Sequence, residues 1–485
     1  MINLRIIHKI IGSLLFIEAF MMATCLAISM YFGDDDTIAF AISVVITMAG
    51  GLTLLYFGRN AINNLDRREA YLLVTLTWIV FSLFGALPYL ISGYIPNFTD
   101  AFFETISGFT TTGCSIIDDV ERLPKAMLFW RTMTQWIGGL GIVFFTIAII
   151  PSLVGGNVKV FSAEATGPLR PKMHPRLSTT AKWIWSIYSL LTIGCVVCFY
   201  LAGMDMFDSV NYAMTTTATG GFSTHNSDTG FYNNPYIDYT AIVFMFLSGI
   251  SFTLLYVTIF KGKVKQFLKN SEFKFYFSFV VIITAIIAAS LALYNHYSIE
   301  EAIRSSLFQV TSFTTTTGIF NDDVAQWHNI TWVLLCVCMF TGACSGSTSG
   351  GFKAVRSVML IKTLRNEFRR ILHPRAVLPV KINSSSVPSS AQTTLLAFLT
   401  AYITLCLITF LCMILSGVDG TNSMTISLSC ASNIGPTLGL DVGPAMSWSI
   451  LPAISKWLLS ALMLMGRLEI FTVVVIFTPT FWRDN

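Results

Sequence analysis

Charged residues are scarce in this chain. Asp, Glu, Lys and Arg make up 12% of its 485 residues, where a soluble globular protein carries about 25%. With 54% apolar residues, and recurrent apolar runs near the ~20 residues that cross a bilayer core, an ordinary water-soluble fold is excluded. Catalytic signatures are missing too: there is no HExxH, GxSxG or Walker sequence, and no cysteine/histidine set at metal-ligand spacing. An enzyme is therefore not expected, nor a cofactor. No basic patch interleaved with aromatics marks a nucleic-acid surface, and the net charge is only +4. The polar stretches are too short for a sizeable receptor domain. The first apolar run, about Ile6 to Tyr31, is too long for a signal-peptide core and has no small-residue cleavage site behind it, so it is read as a retained helix. Cys195 and Cys198 form a CxxC on an apolar segment without βαβ context and read as packing residues.

What is there is a succession of spans. About ten segments are predicted to cross a membrane, at 5–32, 37–58, 70–93, 126–150, 181–203, 237–260, 275–294, 330–360, 392–416 and 448–478. Their connections alternate in charge. One set carries Arg59, Arg67 and Arg68, then Lys159, Arg170, Lys172, Arg176 and Lys182, then Lys261, Lys263, Lys265 and Lys269, then Lys362, Arg365, Arg369, Arg370 and Arg375. The other carries Asp34, Asp35, Asp36, Asp205, Asp208, Asp228, Asp419 and Asp441, with no Lys or Arg between Asp205 and Tyr239 or between Gly417 and Ser447. By the positive-inside rule the basic side is cytoplasmic, the acidic side external, and both termini lie inside.

Four acidic-side connections hold a Thr/Ser/Gly segment too short to span. They read Ser107-Gly-Phe-Thr-Thr-Thr-Gly113, Thr215-Thr-Thr-Ala-Thr-Gly220-Gly221, Ser312-Phe-Thr-Thr-Thr-Thr-Gly318 and Ser429-Cys-Ala-Ser-Asn-Ile-Gly435. Aligned on Gly113, Gly220, Gly318 and Gly435, they recur as an internal repeat. Twelve or thirteen positions upstream stands a capping residue: Asp100, Asp208, Ser305 or Ser306, and Asn422 or Ser423. Each segment thus reads as a re-entrant helix of about two to three turns followed by an extended strand. Irregular backbone at membrane depth is tolerated only where it is buried or lines a water-filled cavity, so the four loops belong together around one axis. The predicted fold is all-α and membrane-integral: four pseudo-symmetric M1–pore helix–M2 repeats around a central pore, plus two extra N-terminal helices. Its parts are 1–66 (helix pair), 67–158, 159–270, 271–380 (with a broken second helix) and 381–485.

Such loops suit a dehydrating cation. Rings of backbone carbonyls replace the hydration shell of potassium in its channels, glycine permits the dihedrals that turn carbonyls inward, and threonine adds a hydroxyl oxygen. Helices aimed inward present their negative C-terminal ends, and external aspartates concentrate cations at the mouth. The filter residues expected from this reading are Thr111, Thr112, Gly113, Ala218, Thr219, Gly220, Thr316, Thr317, Gly318, Asn433, Ile434 and Gly435. Segment eight breaks at Thr341-Gly-Ala-Cys-Ser-Gly-Ser-Thr-Ser-Gly-Gly-Phe-Lys353, where Gly342, Gly346, Gly350 and Gly351 disfavour a continuous helix. Gly346 and Gly351 have phosphate-loop spacing, but Phe352 intervenes before Lys353. Arg467 lies inside the last apolar segment, where it needs a polar cavity or partner; Glu469 is a neighbour but on a different helical face. Glu18 and Glu104 are read as packing or loop-anchoring residues, and Asp119, Glu121 and Arg122 as surface loop.

At these residues the chain resembles the Trk/Ktr/HKT superfamily of cation transporters, and within it the TrkH-type membrane subunits of bacterial potassium uptake. The matching stretches are Ser107–Gly113, Phe129-Trp-Arg-Thr-Met-Thr-Gln-Trp-Ile-Gly-Gly-Leu-Gly-Ile142, Ala218–Thr224, Thr315–Gly318, Gly350–Lys353, Asn433–Pro436 and Gly466–Ile470. The resemblance implies a bacterial inner-membrane homodimer carrying potassium as cargo, regulated by a cytosolic TrkA-like nucleotide-binding subunit and surrounded by lipid. The basic loops 159–182, 261–274 and 362–381 are candidate docking surfaces for that subunit and equally plain topology signals. In the plant branch, serine at the first filter position goes with sodium permeation, so Gly113 favours potassium. The resemblance also implies that the glycine-rich loop and Arg467 form a gate below the filter. The fourth loop departs from the Thr-rich form at Asn433, Ile434 and Pro436. A gated conduit is the preferred function and a proton- or sodium-coupled symporter the alternative. No buried Asp/Glu/His relay crosses the midplane, and the six histidines fall near membrane edges.

Overall fold

Two apolar runs parted by three successive aspartates fold as the helices Leu4–Phe32 and Thr37–Gly58. Gly33, left-handed at φ 74°, ends the first by donating its N–H to Ser29 O. The Ser29 hydroxyl also donates to Asp36 Oδ1 at 2.5 Å, tying off the turn. The structure, a computed structural model, describes residues 2–61, 65–141, 177–383, 385–439 and 447–483. Lys159, Arg170, Lys172, Arg176, Asp441 and the end of the predicted span 126–150 therefore lie outside the described residues.

After the helix pair the same unit recurs four times. A long apolar helix leads each: Arg67–Gly85 continued by Leu87–Ser92, then Leu177–Ala202, Ser271–Tyr294 and Ser389–Leu415. A short helix follows: Phe98–Phe109, Met206–Ala218, Ile299–Thr314 and Gly420–Ser432. After a loop comes a returning helix: Lys125–Leu140, Pro235–Ser248, Asn329–Thr341 and Ala453–Arg467. The long helices expose apolar side chains. Only 22% of the most apolar window of Ser389–Leu415 is buried, and Leu407 and Leu411 stand open, as a lipid-facing surface requires. The short helices are the reverse, with every residue from Ala101 to Phe109 buried. The chain is a multi-pass integral membrane protein. Core side chains of the first and fourth units pack mainly with the N-terminal pair in one cluster, which also takes in Phe352, Val355 and Met359 of the third, and those of the second and third lie mainly in two others.

Two expectations need correction. The short helices start earlier than predicted, capped by Asn97, Asp205, Ser298 and Asp419, and run 12 to 16 residues. The polar residue chosen from sequence lies inside the helix. Asp208, for instance, donates its N–H to Asp205 Oδ1 at 2.7 Å, which places it three residues after the true cap. The spans 237–260 and 448–478 are not straight: Pro235–Ser248 meets Phe252–Ile259 at 100°, and Ala453–Arg467 meets Ile470–Phe477 at 116°. The predicted break in segment eight is present between Thr341 and Ala354. The fold is all-α as expected, with a minimal hairpin in which Lys381–Ile382 pairs antiparallel with Ser385–Ser386.

Candidate functional site

Each short helix runs into its Thr/Gly loop through one backbone pattern. A residue in left-handed conformation comes first: Thr111 (φ 53°), Thr219 (55°), Thr316 (56°) or Asn433 (57°). The next N–H returns to the carbonyl five residues back, as Thr112 to Ser107, Gly220 to Thr215, Thr317 to Ser312 and Ile434 to Ser429, at 2.9 to 3.1 Å. A left-handed glycine follows: Gly113 (82°), Gly221 (85°), Gly318 (78°) or Gly435 (95°). The second loop is thus one residue out of the expected register. Gly221, not Gly220, is the counterpart of the other three glycines, and Ala218 is the last residue of its helix. Two adjacent glycines leave that choice open in a sequence; the backbone makes it. Asn433 is also explained, since asparagine tolerates the left-handed region that strains a β-branched threonine.

The four loops meet in a closed ring. A Cβ on Gly113 would fall on Gly220 O, one on Gly221 would lie 2.6 Å from Thr317 O, one on Gly318 would fall on Ile434 O, and one on Gly435 on Thr112 O. Each glycine therefore faces a carbonyl of the next loop, and the cycle ends where it begins. Gly113, Gly221, Gly318 and Gly435 line one cavity that opens on the acidic face. The hydroxyls of Thr112 and Thr317 are braced within their own loops by Thr110 and Thr315, each at 2.7 Å. Asn433 Nδ2 donates to Thr112 Oγ1 at 3.0 Å and joins the fourth loop to the first.

Two supporting residues, Arg131 and Gln135, were not anticipated, whereas Glu104 is expected from the sequence as a packing or loop-anchoring residue. Arg131 and Glu104 form a buried ion pair at 2.9 Å. Glu104 also accepts from Ile116 N at 2.9 Å, and Arg131 donates to Ser115 Oγ and Ser223 O, both at 3.0 Å. The pair anchors the first and second loops just beyond their glycines. The signal was available: an arginine inside a predicted span needs a partner. Gln135, one turn along the same helix face, donates to Gly220 O at 2.6 Å. Glu18 is buried, with no hydrogen bond to either oxygen among the described residues.

Beneath the ring lies the broken segment. Gly350 N donates to Thr316 Oγ1 at 2.6 Å, a Cβ on Gly350 would fall on Ser432 O, and Thr348 Oγ1 donates to Thr217 O at 3.1 Å. The segment thus touches the bases of three loops. Gly342, Gly346 and Gly351 take left-handed conformations at its turns. Its other side is held by Phe252 N donating to Gly346 O at 2.9 Å and Cys344 N to Gly249 O at 3.0 Å, which is why the second unit's returning helix bends there. Arg467 reaches across. Nη1 donates to Thr348 O at 2.7 Å, and Nη2 to Gly138 O and Gly139 O at 2.5 and 2.8 Å. Glu469 pairs instead with Arg356, at 2.6 Å.

A family model described as a cation transport protein, TrkH, matches residues 37–483. The chain belongs to the TrkH family of cation transport proteins. The Trk system potassium uptake protein TrkH of Halomonas elongata is 36% identical over 483 residues, covering 99% of this chain and 100% of that protein. TrkG of Escherichia coli, also a Trk system potassium uptake protein, is 32% identical with 99% of each covered. The crystal structure of the potassium transporter TrkH from Vibrio parahaemolyticus matches with a TM-score of 0.90 at 34% identity, covering 99% of this chain and 100% of that one.

In this TrkH-family protein most acidic-face aspartates serve the fold. Asp205 and Asp419 cap helices, and Asp228 is buried, accepting from Phe320 N at 3.0 Å, with burial carrying its carboxyl up to about 8. Asp208 accepts from His225 at 3.0 Å, from Thr224 at 2.7 Å and from Tyr232. The other His225 nitrogen faces Glu121 at 3.4 Å, and Asn226 donates to Asp119 at 2.8 Å, so residues assigned to plain surface loop join two units. Burial alone would raise Asp208, but these donors outweigh it and hold the carboxyl below its usual value. Burial alone would lower His225, but Asp208 and Glu121 outweigh it and raise the imidazole. The histidine contribution is complete below the unfolded value near ~6.5 and is lost as pH rises through the raised folded value. The aspartate contribution is present above ~3.9 and is lost as pH falls through the depressed one. The tie is therefore strongest from about pH 4 to 6.5. Thermal unfolding in detergent is expected to show stability declining as pH rises beyond that window, and His225→Gln to flatten the decline. A decline of the same size in the variant would refute the assignment.

Proposed function

We propose that this protein carries potassium into a bacterial cell through the ring of loops, as a gated conduit whose flux follows the potassium gradient. The observation that carries this reading is the closed cycle of glycine against carbonyl at Gly113, Gly221, Gly318 and Gly435. Main-chain oxygens at that density substitute for the water of a monovalent cation. The short helices end at the ring, so their negative dipole ends favour a cation there. The names of the relatives, potassium uptake proteins and a potassium transporter, supply the ion. Gly113 at the first loop accords with potassium rather than sodium.

The 342–353 segment and Arg467 form the proposed gate. A glycine-rich loop under the ring obstructs passage, and a guanidinium fixed beneath it repels cations. The acidic face lies outside and the basic connections inside, in a bacterial inner membrane. The protein works as a homodimer with a cytosolic TrkA-like nucleotide-binding subunit, for which 261–274 and 362–381 are the docking candidates. Of the third candidate, 159–182, the structure describes only the last residues.

Reconstituted vesicles test the reading. A potassium gradient alone is expected to drive flux, and added proton or sodium gradients to leave its rate unchanged. Flux that requires a second ion would replace the conduit with a symporter. Absence of potassium flux, together with failure to restore growth of potassium-uptake-deficient cells, would overturn the assignment.

A further inference from the structure

Gly220 breaks the pattern of the ring. Its counterparts Thr112, Thr317 and Ile434 carry side chains. Gly220 does not, although its φ lies outside the left-handed region and its backbone does not require glycine. What requires it is a side chain from the neighbouring unit. A Cβ on Gly220 would lie 2.5 Å from Gln135 Oε1 and 2.9 Å from Gln135 Cβ. Fully buried Gln135 fills the vacated space and makes three bonds to the second loop. Nε2 donates to Gly220 O at 2.6 Å, while Oε1 accepts from Thr215 Oγ1 at 2.7 Å and from Phe222 N at 3.1 Å. The first and third loops brace themselves through the hydroxyls of Thr112 and Thr317. Without a side chain at 220, the second loop takes its brace from Gln135.

We propose that Gln135 is a selectivity-determining positioning residue, standing in for the side chain the second loop lacks and fixing the direction of the Gly220 carbonyl. The inference rests on the filter reading of the ring. Gly220 O is the oxygen that abuts Gly113, so its direction helps set the ring's width. A carbonyl has two lone pairs and can accept the Gln135 N–H while presenting the other to an ion. Discrimination between potassium and sodium depends on the number and placement of such oxygens. A loosened carbonyl would close around the smaller ion.

The test compares potassium-to-sodium flux ratios in vesicles containing wild type, Gln135→Ala and Gln135→Met. Losing the brace is expected to lower the ratio about tenfold in Gln135→Ala while total cation flux persists. Gln135→Met, of similar volume, gives the same reading should the alanine variant not fold. A merely space-filling Gln135 predicts that Gln135→Met keeps the wild-type ratio. A ratio within about twofold of wild type in folded Gln135→Met overturns the inference and leaves the conduit reading intact. Wild-type vesicles without potassium flux would instead overturn the proposed function, and this inference with it.

Discussion

Replacing Gly318 with alanine will abolish potassium uptake. The backbone at Gly318 has φ 78°, a conformation that L side chains rarely adopt. The added methyl would fall on Ile434 O and lie 2.6 Å from Pro436 Cδ. Neither neighbour has room to withdraw, because Ile434 N is bonded to Ser429 O at 3.1 Å and both residues belong to the fourth loop of the ring. The variant must rotate its own peptide or push the next loop aside, and either movement turns a carbonyl away from the axis. Left-handed strain costs about 1–3 kcal/mol before any clash is counted, so a loss of uptake beyond about 100-fold is expected. Growth of potassium-uptake-deficient cells at limiting potassium measures it. Gly420→Ala is the control. Gly420 opens the fourth short helix with nothing within 4 Å of a built Cβ and no left-handed φ, so uptake should stay within about twofold of wild type. Wild-type growth of the Gly318→Ala strain would remove the ring from the transport path. Gly113→Ser probes the same contact at Gly220 O and is expected to admit sodium.

Replacing Arg467 with alanine will raise potassium flux while leaving the potassium-to-sodium ratio unchanged. The guanidinium joins Thr348 O in the third unit to Gly138 O and Gly139 O in the first. It therefore staples the glycine-rich segment to the end of a helix that is itself packed under the ring. Hydrogen bonds from a charged group contribute about 1.5–3 kcal/mol each, and on the proposed gate reading the staple also places a positive charge on the ion's route. Losing both favours the open arrangement, and a flux increase of about tenfold or more is expected. In the proposed conduit, selectivity is set higher, at the carbonyl ring. Glu469→Gln is the informative comparison, since it removes the charge paired with Arg356 and leaves the Arg467 contacts and the Arg356 bond to Phe352 O in place; its flux should change little. Flux at the wild-type level in vesicles of both Arg467→Ala and a chain shortened within 342–351 would show that neither element limits conduction.

The sequence by itself determined what depends on neighbouring residues: the apolar spans, the four short Thr/Gly segments between them, and the helix break at Gly342–Gly351. Hydropathy and the preferences of glycine act over a few residues, so they can be read along the chain. Only the tertiary structure decided matters that turn on contacts between distant segments. Nothing local distinguishes Gly220 from Gly221; the choice comes from Gln135 lying against one and Thr317 O against the other. The bend after Ser248 follows from contacts to Gly346 and Cys344 about a hundred residues later. Arg467 looks across two units rather than to nearby Glu469, whose carboxylate Arg356 has taken. Buried polar groups must find partners wherever the fold brings them, and partners chosen across the whole molecule leave no period or spacing in the chain.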